Sequence, residues 1–220
     1  EALAMTRGNG ERLWRPLQNP NELQISSFID EHPRGFGLIQ RRRDFAHYQD
    51  LEAKYHRRPS VWVKPLSDWG KGHVELLEIP SDSEANDNIV AYWRPAQVLK
   101  KGEPLSYSYR LSWPNDALRL PGRATIVRSA GGQKLFGESE EVVVDFNGID
   151  SGEIADIIID SHISAGRIVE ARLEENPHIN GARLFVSFDP EDAEVAELRL
   201  QLKKNDLPIA ATWLYRWQKK

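Results

Sequence analysis

Three carboxylates lie within nine residues of one another, in a segment bounded by two runs of arginine. Asp44, Asp50 and Glu52 share this segment with His47 and Tyr48. Hydrolysis of a glycosidic bond needs two carboxyl groups, one acting as the acid and the other as the base or nucleophile. The same residue types also suit a charged surface helix with ion pairs between side chains four residues apart. From the residues alone both interpretations stay open.

The arginines constrain which carboxyl could act as an acid. Five of them flank the segment, at positions 41–43 and 57–58, and Arg43 lies next to Asp44. A neighbouring arginine lowers the pKa of a carboxyl group, whereas burial raises it. An acid in this segment would therefore have to be shielded from the arginines.

A second candidate segment joins a tryptophan to a lysine between glycines. Asp68 and Trp69 are followed by Gly70, Lys71 and Gly72. A sugar ring can stack its apolar face on an exposed indole while its hydroxyls bind charged groups. The alternative interpretation is a glycine-containing turn with a tryptophan that packs in the core. The spacing of a phosphate-binding loop is absent.

Composition excludes several classes of protein. The chain has 220 residues, a formal net charge of −4 and no cysteine, which excludes disulfides and thiolate chemistry. Basic and acidic residues are interleaved, so we expect no nucleic-acid partner. No apolar run approaches the roughly 18 residues of a membrane-spanning helix. The six histidines show no zinc-binding spacing, and we expect neither a metal nor a cofactor.

Strand patterns dominate the chain and predict an all-β fold. Residues 105–113 alternate almost strictly between apolar and polar, which predicts one buried and one exposed face. Residues 44–55 break the pattern and predict a short helix or an ordered loop, with Asp44 capping its first turn. Two prolines and an Asn-Asp pair indicate a linker at 114–121 between domains at 1–113 and 122–220. The strands and turns of the second domain predict an immunoglobulin-like sandwich.

Several sequence blocks resemble one family of bacterial proteins. In chain order they are WRPL at 14–17, PRGFGLIQR at 33–41, Phe45, YQDLEAKY at 48–55, RPSVWV at 58–63, DWGKGHVEL at 68–76 and NDNIVAYW at 86–93, with a looser match at TWLY, 212–215. These blocks resemble the periplasmic glucan biosynthesis G/D family.

The resemblance implies a fold, a location and a function. It implies the end of a large mutarotase-like β-sandwich followed by an immunoglobulin-like domain. It also implies a periplasmic protein of osmoregulated β-1,2-glucan biosynthesis, with two alternatives for its activity. One is an inverting endo-β-1,2-glucanase, and the other is a non-catalytic glucan-binding factor that assists a membrane glucan synthase.

Site residues follow from matching the blocks position by position. Asp50 matches the general acid of the family. His47, Tyr48, Glu52, Arg43, Trp69 and Lys71 are expected to bind substrate. At Arg42 the sequence departs from the family pattern, in which an aspartate is expected, and this departure favours either a weaker hydrolase or the non-catalytic alternative. The start at Glu1 without a methionine or signal is expected to reflect a cut inside a larger domain, with the second catalytic carboxylate upstream.

Overall fold

The structure is a computed structural model that describes residues 1–83, 86–115, 124–134, 137 and 139–219. The chain divides into two compact units, Glu1–Leu118 and Arg119–Lys220. The described residues form antiparallel strands, together with three short 3₁₀ helices, Phe45–His47, Tyr55–Arg57 and Ser151–Asp156. The expectation of an all-β protein is confirmed at this level, and the mutarotase-like and immunoglobulin-like assignments stay predictions.

The first unit contains eight strands in its described part. They are β1 (Ala2–Thr6), β2 (Arg12–Pro16), β3 (Gln24–Glu31), β4 (Gly35–Ile39), β5 (Val61–Pro65), β6 (Lys71–Glu78), β7 (Ile89–Pro95) and β8 (Tyr109–Ser112). Within the unit, β2, β1, β4, β5 and β8 are neighbours in one sheet, and β3, β6 and β7 form another. The loop that carries Asp50 connects β4 to β5.

The core of the first unit explains why β4 and β5 are held closely together. Phe36 and Ile39 of β4 are buried, as are Leu3 and Met5 of its neighbour β1. A Cβ at Gly37 would lie 2.0 Å from the carbonyl oxygen of Val61 on β5, so only glycine permits this approach. The two strands that bound the Asp50 loop are therefore fixed by the core.

The second unit also contains eight strands in its described part. They are β9 (Thr125–Gln133), β10 (Glu140–Asn147), β11 (Ile158–Ile163), β12 (Arg167–Asn176), β13 (Gly181–Asp189), β14 (Val195–Lys204), β15 (Leu207–Pro208) and β16 (Thr212–Gln218). One sheet has the order β12, β13, β10, β9. In the other, β14 pairs with β11, β15 and β16.

Alternating residues of these strands supply the core of the second unit. Val142, Val144 and Phe146 alternate along β10 and are all buried. Leu198 and Leu200 of β14 are buried in the same way. This period of two is the pattern of strands with one face on a core.

The structure departs from the sequence interpretation in one place and selects between its alternatives in another. Residues 44–55 form the ordered loop and not the helix, because only their ends adopt 3₁₀ turns and residues 48–54 lie between these turns. The alternating segment 105–113 is a strand only at β8, and all four residues of β8 are exposed rather than half-buried. Most of the predicted linker, residues 116–121, lies outside the described residues.

Candidate functional site

An open pocket of about 660 Å³ lies on the loop between β4 and β5. Its lining consists of His47, Tyr48, Gln49, Asp50 and Tyr55. Three of these, His47, Tyr48 and Asp50, are residues that the sequence predicts for the site. Asp50 is the only carboxylate among the five lining residues.

The carboxylate of Asp50 is oriented by the backbone that follows it. Its Oδ1 accepts hydrogen bonds from the amides of Glu52 at 2.6 Å and Ala53 at 2.7 Å. Its Oδ2 makes no hydrogen bond or ion pair with a described residue. One oxygen thus fixes the side chain, and the other is available to a ligand or a proton.

Asp44 makes a similar cap without contributing to the pocket. Its Oδ1 accepts a hydrogen bond from the amide of Ala46 at 3.0 Å and caps the Phe45–His47 turn, as the sequence predicts. Asp44 is exposed and does not line the pocket. The two aspartates are therefore alike in local chemistry and different in position.

Gln40 holds the tyrosines of the pocket in place. Its side-chain nitrogen donates to the hydroxyl of Tyr48 at 3.2 Å and to the carbonyl of Tyr55. The Tyr48 hydroxyl in turn donates to the carbonyl of Arg42 at 2.9 Å, and the rings of Tyr48 and Tyr55 stack with centroids 6.1 Å apart. Burial raises the pKa of the Tyr48 phenol, and the charge of Glu1 raises it further. Tyr48 therefore stays a protonated donor.

Arg43 and Glu52 are placed outside the pocket. Arg43 donates to the carbonyl of Arg58 and to the hydroxyl of Ser60 at 3.2 Å, so it ties the loop to the start of β5. Glu52 is exposed and lines no part of the pocket. Neither side chain is among the residues that line this pocket, and their role in substrate binding stays a prediction.

Trp69 requires a correction, because the structure buries it. Its side chain is only 8% exposed, and it contacts the rings of Phe36, Trp93, Tyr107 and Tyr109. A buried indole offers no face for stacking a sugar. Trp69 is therefore the core-packing tryptophan of the alternative interpretation.

The turn that follows Trp69 serves as a structural clamp. Asp68 accepts a hydrogen bond from the amide of Gly70 at 2.8 Å and lies 2.5 Å from Nδ1 of His32. Lys71 is exposed, and its nearest described carboxylate oxygen belongs to Glu31, at 4.0 Å. Neither Trp69 nor Lys71 is among the residues that line the Asp50 pocket.

Gln49 and Tyr55, which line the pocket, and Gln40, which supports it, were not selected as a site by the sequence interpretation. Tyr55 recurs in the apolar spacing of the segment, and Gln40 directly follows a buried strand. Their roles depend on the loop folding back on itself. No group of three or more described His, Asp or Glu side chains is arranged to hold a metal ion.

Comparison with known proteins places the chain among proteins of glucan biosynthesis. Glucans biosynthesis protein G 2 of Shewanella oneidensis is 55% identical over 217 residues, which cover 99% of this chain and 41% of the relative. Glucans biosynthesis protein G of Shewanella frigidimarina is 44% identical, with 99% and 39% covered. The protein of the same name from Vibrio cholerae is 45% identical, with 99% and 40% covered.

The family described as "Periplasmic glucan biosynthesis protein, MdoG" matches residues 1–217. The chain belongs to this family, as its sequence blocks predict. It spans about two fifths of the length of these curated relatives. Among the residues that the structure describes, no helix is long and apolar enough to cross a membrane.

Proposed function

We propose that the protein binds β-1,2-glucan in the periplasm and that the Asp50 pocket supplies the acid of an inverting glucanase. The observation that carries this proposal is the geometry of Asp50. Its Oδ1 is held by two amides while Oδ2 stays available in a pocket lined by tyrosine, histidine and glutamine. A general acid needs this combination of fixed orientation and one accessible oxygen.

The second carboxylate of the mechanism comes from outside the described pocket. An inverting enzyme holds its two carboxyl groups about 6.5–9.5 Å apart, so that a water molecule fits between one of them and the sugar. Asp50 is the only carboxylate lining this pocket, and neither Asp44 nor Glu52 lines it. The relatives are longer than this chain, and the base of the proposed mechanism is assigned to that additional length.

A non-catalytic role is the second candidate, and the same observation favours it. A pocket with one carboxylate and two stacked tyrosines can bind a sugar without cleaving it. Such a protein would present glucan to a membrane synthase. Arg42 adds to this alternative, because the resemblance leads us to expect an aspartate where this chain has an arginine.

The two candidates are distinguished by replacing Asp50 with asparagine. Asparagine keeps the Oδ1 acceptor that caps the turn but cannot donate a carboxylic proton. In the experiment, a protein as long as the relatives is incubated with linear β-1,2-glucan, and the products are followed by chromatography. For a hydrolase we expect Asp50→Asn to lose cleavage by at least about 100-fold, the usual scale of acid catalysis, and to keep binding.

Asp44→Asn is the matched control, because Asp44 caps the neighbouring turn without lining the pocket. We expect it to cleave at the wild-type rate. Cleavage by Asp50→Asn at the wild-type rate would remove Asp50 from the mechanism. Binding without any cleavage by the wild type would select the non-catalytic role.

A further inference from the structure

The second unit has its own pocket, of about 360 Å³, between strands of its two sheets. Strands β9, β10 and β13 line one side, and residues of β16 line the other. The volume lies within the range of roughly 300–1,000 Å³ that is typical of small-molecule sites. Tyr215, in the looser TWLY match, is the one residue of the sequence blocks that lines this pocket, and the Asp50 site does not involve it.

A glycine of β9 lines this pocket. Gly131 is paired with Val142 of β10, whose side chain is buried. Paired residues of an antiparallel ladder lie on the same face, so a side chain at position 131 would project from the same face of the sheet as Val142. A Cβ at Gly131 would come within 3.3 Å of Val142 Cγ1 and 3.4 Å of the Tyr215 hydroxyl. The neighbouring Gly132 differs, because a Cβ there would meet no atom within 4 Å.

Aromatic and polar side chains surround this space. Tyr215 and Trp217 lie two residues apart on β16 and share one face, and Trp217 packs edge-on against Phe188 with centroids 6.3 Å apart. On β9 and β10, Gln133 is paired with Glu140. The side chains of Gln133 and Glu140 make no hydrogen bond or ion pair within the described part of the chain.

The charges of the pocket favour a neutral ligand. Glu140 supplies a carboxylate on the face of β10 that carries Val142, whereas Glu141 lies on the opposite face, where it accepts a hydrogen bond from Ser187 at 3.1 Å. Lys219, the one cation of the lining, is paired with Glu194 at 3.2 Å. An anionic ligand would therefore meet the Glu140 carboxylate and a cation that is already neutralised.

We propose that this pocket binds one glucosyl residue of a neutral glucan, with its ring against Trp217 and its hydroxyls hydrogen-bonded to Gln133 and Glu140. Apolar ring faces and hydroxyl edges are what a sugar presents to aromatic rings and carboxylates. The choice of glucose rests on the proposed function. The site itself rests on the geometry of the second unit and would hold the glucan apart from the Asp50 pocket.

The test is an NMR titration of the 220-residue chain with a linear β-1,2-gluco-oligosaccharide, following the indole N–H signal of Trp217. A Trp217→Phe variant assigns this signal. We expect the signal to shift with saturation, and to shift equally in Asp50→Asn. Gly131→Ala narrows the pocket and Glu140→Ala removes a hydrogen-bonding group, and each should weaken binding by about tenfold, the equivalent of one good contact.

Gly132→Ala is the matched control: Gly132 also borders the pocket, but its added methyl group would project from the opposite face of β9 to that of Gly131 and meet no atom within 4 Å, so wild-type affinity is expected. Glucuronic acid serves as the anionic counterpart of glucose and should bind more weakly. A Trp217 signal unmoved by the oligosaccharide would overturn the proposal, as would equal affinities of Gly131→Ala and Gly132→Ala. Binding at Trp217 combined with undiminished cleavage by Asp50→Asn would instead overturn the proposed acid and leave this site standing. Thermal unfolding of each variant shows that the fold is retained.

Discussion

The two pockets of this chain are built in different ways. The Asp50 pocket is made by a loop, whose residues are oriented by a few hydrogen bonds. Gln40 donates to Tyr48, the amide of Glu52 donates to Asp50, and Asp44 caps the neighbouring turn. The pocket of the second unit is made by strand residues whose positions follow from the ladder. A loop-built site can be changed without disturbing the scaffold, whereas a strand-built site shares its residues with the scaffold.

The largest effect is expected from Glu78, which belongs to the scaffold of the first unit. Its carboxylate is fully buried, lies 3.0 Å from the equally buried guanidinium of Arg15, and accepts from the amide of Gln18 at 2.6 Å. Glu78→Ala leaves a buried charge without its partner and should cost about 3–5 kcal/mol of unfolding free energy. Chemical denaturation measures the loss.

A double substitution sharpens this result. Arg15→Met combined with Glu78→Leu removes both charges, and apolar pairs of similar volume often replace buried ion pairs without loss. We expect recovery of part of the stability, with the Gln18 amide still lacking its acceptor. A single Glu78→Ala variant as stable as the wild type would show that this pair does not hold the first unit together.

The second-largest effect is expected at Asp145, on the strand β10 that also lines the second pocket. Asp145 is buried and pairs with Arg183 through both oxygens, at 2.6 and 2.9 Å. Asp145→Ala should cost about 2–3 kcal/mol, less than a fully buried pair because Arg183 is partly exposed. Because β10 belongs both to the scaffold and to the second pocket, Asp145→Ala should also weaken glucan binding at Trp217.

The Asp145 pair also predicts a pH dependence. Burial raises the pKa of Asp145, but the hydrogen bonds and charge of Arg183 outweigh it and bring the pKa below its ordinary value. A carboxyl whose pKa is lowered by folding stabilises the protein above its unfolded pKa of about 3.9, and this contribution is lost as the pH falls through the folded pKa. The difference in stability between wild type and Asp145→Asn should therefore shrink from pH 7 to pH 3. A difference in stability that stays constant between pH 7 and pH 3 would contradict this expectation.

A smaller effect is expected at Gln40, which positions the loop-built pocket. Gln40→Ala removes the donor to Tyr48 and Tyr55, at a cost of about 1 kcal/mol in stability. We expect the tyrosine ring signals of both residues to shift in NMR spectra, and glucan binding at this pocket to fall. Gln49→Ala, an exposed lining residue, is the control and should leave these signals in place. Unchanged ring signals in Gln40→Ala would show that the loop is held by other contacts.

The sequence predicts local features well and long-range ones poorly. The cap at Asp44 and the turns at Asn180, Asn205 and Asp206, which have positive φ, follow from residue type alone. Trp69 could not be assigned, because a tryptophan beside glycines suits both a surface platform and a core. Its burial depends on Tyr107 and Tyr109, nearly forty residues away. The place of Gly131 in the second pocket likewise appears only once the register pairs it with Val142.

The smallest effect concerns the clamp between His32 and Asp68, in the segment that the sequence suggests as a sugar platform. The hydrogen bond to Asp68, and then its charge, raise the pKa of His32 above its ordinary value of about 6.5. A histidine whose pKa rises on folding contributes stability below its unfolded pKa and loses it as the pH rises through the folded pKa. Both side chains are exposed, so this contribution is small and screened by salt.

An NMR titration should show the pKa of His32 moving back towards 6.5 in Asp68→Asn. Glu31→Gln should lower the pKa of His32 less, because the Glu31 carboxylate oxygen lies 3.6 Å from His32 Nε2 and raises that pKa less than Asp68 does. Added β-1,2-glucan should leave the His32 titration unchanged if this turn is a clamp, and a shift on adding glucan would make it a third binding region instead.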